Sequence, residues 1–218
     1  VVTFTRPRSV TVDSSSASAS DHTWREPRWT RLTTRMKRLS GDTVSFSASP
    51  SSVIKGETLK DTIRNIESME IDMVVVRHES PGVPHFLTRC VDAAIINAGD
   101  GAHEHPTQAL LDFFTMRQVF DVFKGKKIAI IGDIAHSRVA RSNIIGLTKM
   151  GAEVTVCGPA SMIPPHVESL GARTVLDPAE AVRGKDVIMV LRIQLERQSA
   201  KLFPSIREYA SFFGLGKE

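Results

Sequence analysis

From about residue 43 onward, apolar positions along the chain fall into two alternating rhythms. Short β-branched runs recur as "DMVVVRH" (72–78), "AAIINAG" (93–99), "KKIAIIGD" (126–133), "AEVTVCGP" (152–159) and "DVIMVLR" (186–192). Continuous apolar runs of this length predict strands buried on both faces. Between them lie stretches with helical spacing. "TLKDTIRNIESM" (58–69) carries Leu59, Ile63, Ile66 and Met69 on one face, and "VPHFLTRCV" (83–91) is a shorter helix. "HPTQALLDFFTMRQVFDVF" (105–123) reads as one long helix, and "RVARSNIIGLTKMG" (138–151) as another, closed by Gly151 at C′. "DPAEAVRG" (177–184) and a terminal segment from "LFPSIREYASFF" complete the helices, and "DTVSFSA" (42–48) is a short alternating strand.

Strands alternating with helices predict an α/β fold with a parallel sheet and helices on both faces. The break at "FKGKK" divides the pattern into two doubly wound parallel-sheet domains, 43–122 and 123–218, joined by the long helix. The second domain shows three strands and reads as incomplete. Residues 1–42 differ from both: "DSSSASASD" is low-complexity, and "WREPRWTRLTTRMKR" is basic without a clean period. This segment reads as an unfolded arm, with an Arg- and Ser-rich organelle transit segment as the competing reading.

Charge changes the picture only at that arm. Residues 1–38 hold eight Arg or Lys against three acids, a net of +5, which leaves −1 for the other 180 residues. The basic balance belongs to the arm and gives no ground for a nucleic-acid partner. No apolar run reaches the roughly 18 residues of a membrane span, and no secretory signal is visible, so the expected location is the cytoplasm, an organelle remaining open. Cys90 and Cys157 sit apart in apolar patterns, as buried free thiols of a reducing compartment do.

In open α/β sheets ligands bind beyond the carboxyl ends of the strands. Arg77 and His78 follow the first buried strand, Asn97 to Gly101 the second, Asp133 the third and Arg192 the last, while Arg138 and Arg141 open the next helix. Guanidinium groups converging there suit a ligand with phosphate or carboxylates. In "GDGAHEHPTQALLD" (99–112), Pro106 fits the first turn of a helix, which puts His105 at the N-cap with Thr107 and Gln108 in the first turn. The positive end of the helix dipole favours an anion and a neutral imidazole, which can donate one hydrogen bond to a polarised carbonyl. A metal is the poorer reading, because His103 and His105 lack i, i+4 spacing and no third ligand is evident. The glycines of a dinucleotide fingerprint are missing from "IAIIGDIAHSR", and no phosphate-binding G-x-x-x-x-G-K-[ST] loop occurs.

Five motifs together resemble the catalytic chains of aspartate carbamoyltransferases: "SSVIKGETLKDT", "VVVRH", "NAGDGAHEHPTQALLD", "IGDIAHSRVARS" and "LRIQLER", in order and spacing, from about residue 37 to about residue 215. Ornithine carbamoyltransferases share the H-P-x-Q element but differ at "LRIQLERQ". The resemblance implies transfer of the carbamoyl group of carbamoyl phosphate to L-aspartate in pyrimidine synthesis. Residues 43–122 would be the carbamoyl-phosphate-binding domain and 123–218 a shortened aspartate-binding domain. Arg77, His105 and Gln108 would bind carbamoyl phosphate; Lys55, Arg138, Arg192 and Gln194 would bind aspartate. His105, Arg77 and Lys55 would carry the chemistry, Lys55 with Ser51 or Ser52 reaching a neighbouring subunit's site. The resemblance implies no metal or cofactor, a homotrimer with shared active sites, and regulatory or dihydroorotase chains as further partners in some members.

Three departures accompany it. The family's E-P-S-T-R-T-R phosphate loop is represented by "EPRWTRLTTRMKRLSG", which keeps Glu26-Pro27, Thr30-Arg31 and Thr34-Arg35 out of register. The chain also lacks the family's N-terminal helix and its later H-P-L/G-P motif. A descendant or fragment that binds an anion or a partner subunit without turnover is therefore the second expectation.

Overall fold

The computed structural model describes residues 58–194 and 205–214 and, as backbone, two strands nearer the N-terminus, β1 (Val2–Pro7) and β2 (Gly41–Phe46). Lys55, Ser51 and Ser52 lie outside the described residues. The chain divides into two compact units, 1–76 with 84–96, and 77–83 with 97–218.

The first unit carries a four-stranded sheet in the order β2-β1-β3-β4, with β3 spanning Met73–His78 and β4 Ala94–Asp100. β1 is antiparallel to both β2 and β3. It falls in the segment expected to be an unfolded arm. The alternation "VTFTRP" was masked there by the Ser-rich stretch that follows it. Helix α1 (Leu59–Glu67) starts at a capping box: Asp61 N–H donates to Thr58 Oγ1 at 3.2 Å and Thr58 N–H to Asp61 Oδ2 at 3.3 Å. It buries Ile63 and Ile66, while Leu59 and Met69 from the expected apolar face stay exposed. At its end Glu67 Oε1 accepts from the Asp92 and Ala93 amides (2.6 and 3.2 Å), fixing the approach to β4. The short helix α2 (Val83–Leu87) buries Pro84 and Leu87.

The second unit contains α3 (Pro106–Arg117), β5 (Lys127–Ile131), α4 (Arg138–Lys149), β6 (Glu153–Cys157), β7 (Ala172–Val175), α5 (Pro178–Val182), β8 (Val187–Val190) and α6 (Ile206–Phe213). Its sheet runs β7-β6-β5-β8, and every pair is parallel. One face packs Ile128, Ile130, Val154 and Val156 against Ile144 and Leu147 of α4 and against Met116 and Phe123. The other sets Ala129, Ile131 and Cys157 against Ala181 of α5 and Phe213 of α6. Burial of these branched side chains, at about 1.5–3 kcal/mol each, is the main attraction holding the layers together.

Two further elements differ from expectation. β7 was missed because "ARTV" is four residues with only two apolar ones. The long helix ends at Arg117 rather than running to 123. Phe123 is instead buried and meets Phe113 edge-on, with ring centroids 6.1 Å apart, so the chain must leave the helix to reach the core. Gly151 does take the left-handed conformation after α4 (φ +82°), as a C′ glycine should. Among the described residues no helix is long and apolar enough to cross a membrane.

Candidate active site

The strand order β7-β6-β5-β8 reverses direction between β5 and β8, which makes their carboxyl ends the topological switch point where α/β sheets bind ligands. Asp133, two residues past β5, is fully buried. Its Oδ2 accepts from the Gln194 amide at 3.1 Å, and its Oδ1 accepts from His136 N–H (3.2 Å) and Nδ1–H (2.8 Å). One buried carboxylate thus ties the segment carrying Arg192 and Gln194 to the turn that leads into α4. Gly132 makes the approach close enough: a Cβ there would stand 2.6 Å from the Leu191 carbonyl oxygen.

Ser137 caps α4, its hydroxyl accepting from the Ala140 amide, and so Arg138 opens the first turn. Arg138 is 6% exposed and donates from Nη1 to the Gly101 carbonyl at 3.3 Å. Its guanidinium lies over Gly99, where a Cβ would come within 2.6 Å of Cζ; Gly99 also has φ +114°.

The ends of β3 and β4 meet at a second buried carboxylate. Asp100, 1% exposed, accepts from the Gly82 amide (2.6 Å), Asn97 Nδ2 (2.9 Å), the Glu104 amide and His103 Nδ1–H (3.0 Å each). Burial alone would push this carboxyl up, but the bonds from Asn97, Gly82, His103 and Glu104 together outweigh it and hold it below the ordinary value. Gly101 N–H donates to the His78 carbonyl at 2.9 Å, which sets the loop beside the end of the strand that bears Arg77. Arg77 itself is exposed.

His105 is the N-cap of α3, and Pro106 takes the first helical position as the sequence predicts. Its ring does not cap the helix; Nδ1 faces Thr107 Oγ1 at 3.2 Å. Its backbone N–H donates to Ser142 Oγ of α4 at 2.8 Å. Gln108, one turn on, donates from Nε2 to Asp112 Oδ1 at 3.0 Å. These bonds tie His105 to α4 and Arg138 to the loop at the end of β3, while Asp133 ties Gln194 to the turn before α4, all within the second unit. The arrangement presents guanidinium groups and a helix N-terminus, which suits an anion with a carbonyl beside it.

Sequence reasoning had no means to find Ser142, which meets His105 across 37 residues. Asp112 did leave a sign, being i+4 from Gln108 on a helix. A cavity of about 290 Å³ lies nearby, lined in part by Ala102, Ser137, Arg141 and His166, and it includes none of the expected binding residues.

Comparison with known proteins gives consistent matches. Residues 30–118 match the family model of the aspartate/ornithine carbamoyltransferase carbamoyl-P binding domain, and residues 124–216 that of the Asp/Orn binding domain. The chain is 58% identical over 183 residues to the aspartate carbamoyltransferase catalytic subunit of Geobacter sulfurreducens, covering 84% of this chain and 59% of that protein. It is 56% identical over 182 residues to that of Cytophaga hutchinsonii, with the same coverage of 84% and 59%. The chain therefore spans about 59% of the length of these curated relatives. Among solved structures it resembles aspartate transcarbamoylase from Trypanosoma cruzi in complex with aspartate and phosphate. That match has a TM-score of 0.65 and 30% identity, covering 82% of this chain and 61% of that one. Ornithine carbamoyltransferase from Pyrococcus furiosus is more distant, with TM-score 0.59 and 28% identity over 72% of this chain and 51% of that one.

Proposed function

Because this chain belongs to the aspartate/ornithine carbamoyltransferase family, we propose that it serves the transfer of a carbamoyl group from carbamoyl phosphate to L-aspartate, giving N-carbamoyl-L-aspartate and phosphate for pyrimidine synthesis. The observation that carries this reading is the 58% identity to an aspartate carbamoyltransferase catalytic subunit over 183 residues. The amine attacks the carbamoyl carbon, the new C–N bond forms, and the C–O bond to phosphate breaks, the departing phosphate keeping the electron pair and taking up the amine proton. Negative charge grows on the carbonyl oxygen. His105 at the N-cap and Arg77 are the donors we assign to it, acting on the charge as it develops. Gln108 takes the carbamoyl amide. Arg138, Arg192 and Gln194 hold the aspartate carboxylates, and Lys55 completes the aspartate site and the chemistry. Fixing both substrates supplies much of the remaining acceleration. The protein works in the cytoplasm as a homotrimer with shared sites, as the resemblance implies.

The test is ureido-product formation from carbamoyl phosphate with L-aspartate and L-ornithine offered separately. Turnover with aspartate alone is expected; turnover with ornithine alone overturns the assignment. A second reading, anion binding without turnover, is favoured by the out-of-register "EPRWTRLTTRMKRLSG" segment. It predicts no product with either amine from a folded chain that still binds carbamoyl phosphate.

A further inference from the structure

Gln108 can serve a carbamoyl group in two opposite ways. Turned one way, its side-chain oxygen accepts from the carbamoyl NH2; turned the other, its own NH2 faces that NH2 and repels it. The structure decides between them through a polar relay from α4. Asn143, 0% exposed, donates from Nδ2 both to the Val139 carbonyl (3.0 Å) and to Asp112 Oδ2 (2.7 Å). A backbone carbonyl and a carboxylate only accept, so the Asn143 amide has one orientation. Asp112 Oδ1 then takes Gln108 Nε2 at 3.0 Å, and this contact too has one polarity. A helix-surface Gln–Asp pair would leave the second carboxylate oxygen to water. Here that oxygen is held by a buried residue 31 positions away, and the carboxylate cannot swing. Gln108 Oε1 is thereby left as the free acceptor at the first turn of α3.

We infer that Asp112 is a positioning residue that sets the Gln108 amide so that its oxygen, not its nitrogen, meets the ligand, selecting a carbamoyl group over an acyl group without an NH2. The inference rests on Gln108 contacting the carbamoyl amide, as proposed above. Asp112→Asn is the informative change. The Asn143 donor still claims the oxygen of the new amide, so the new NH2 faces Gln108 and turns it around. Asp112→Ala only frees Gln108 to rotate.

Binding of carbamoyl phosphate and of acetyl phosphate, which carries a methyl group in place of NH2, is measured by titration calorimetry on the 218-residue chain and its variants, with circular dichroism confirming the fold. One hydrogen bond corresponds to about a tenfold change in affinity. Gln108→Ala and Asp112→Asn should each weaken carbamoyl phosphate about tenfold or more and acetyl phosphate by less than about twofold. Asp112→Ala should lie between wild type and Asp112→Asn, the reverse of the order a structural role produces, since truncation there is the harsher change. Equal losses for both ligands in Asp112→Asn, or a larger loss in Asp112→Ala, overturn the inference while Gln108→Ala still discriminates. If Gln108→Ala leaves both ligands unchanged, the assigned role of Gln108 falls, and the inference with it.

Discussion

Asp100 is the residue whose replacement tests the architecture of the site most directly. Its two oxygens take four donors, two of them backbone amides. Asp100→Asn keeps the shape and turns one acceptor into a donor. With the new NH2 at the Oδ2 position, His103 can switch tautomer and accept, but the Gly82 amide, 2.6 Å from that oxygen, cannot. At the Oδ1 position the NH2 faces Asn97 and the Glu104 amide instead; an Asn97 flip would lose the bond its oxygen takes from Gly99 N–H at 2.8 Å. Either way one half-buried amide is orphaned, at about 1–3 kcal/mol, and the remaining bonds lose their charge assistance. The expected loss is about 2–3 kcal/mol at neutral pH, read as a shift in the urea midpoint by far-ultraviolet circular dichroism. The pH dependence follows from the depressed Asp100 pKa. A carboxyl held below its unfolded value contributes stability that is complete above that value, about 3.9, and is lost as pH falls through the folded value. The gap between wild type and variant should therefore close below about pH 4. Amide exchange should also quicken at residues 101–105, the loop that delivers His105. A midpoint unchanged at neutral pH, or a gap that persists in acid, refutes the reasoning.

Two further outcomes are expected. Gly99→Ala places a Cβ 2.6 Å from Arg138 Cζ at φ +114°, so the guanidinium must move. L-aspartate binding should weaken about tenfold or more, with about 1–3 kcal/mol of destabilisation, and a variant with wild-type aspartate affinity would show that Arg138 is not held where aspartate needs it. Burial, with Asp177 adding to it, pushes the Cys157 thiol up to about 11, so it stays protonated and shielded at pH 8, whereas Cys90 is only partly buried. A disulfide-exchange reagent should titrate one thiol per folded chain and two in denaturant. Two fast thiols in the folded state would contradict the packing of Cys157 under α5.

How much of this was legible depended on how local the cause was. The buried strands and Pro106 at the start of α3 announced themselves through runs and single-residue conformational rules, and the structure has them where the pattern puts them. β7 escaped because four residues hold too few side chains for a period. The end of α3 escaped because a tertiary demand, the burial of Phe123, outweighs a helical pattern that runs on to it. Strand ends gave the candidate binding residues, since topology sets where a parallel sheet offers a ligand crevice. The polar residues that hold them gave almost nothing: Ser142 meets His105 across 37 positions, and Asp133 meets Gln194 across 61.

That asymmetry has a physical origin. A loop leaving a parallel strand carries backbone amides with no ladder partner, and burying one unanswered costs about as much as a lost hydrogen bond. At both strand-end junctions of this site the answer is a buried carboxylate that collects several donors at once: Asp100 for β3 and β4, Asp133 for β5 and β8. An acceptor of that capacity fixes loop backbone without adding a neutral side chain that would need its own partners. Asp112 extends the same economy one shell further out, using a third carboxylate to orient a side-chain amide. The loop backbone at both junctions and the Gln108 amide are thus each fixed by a carboxylate. A single charge-removing change at any of the three carboxylates is a sharper probe of the site than removal of a ligand-facing residue.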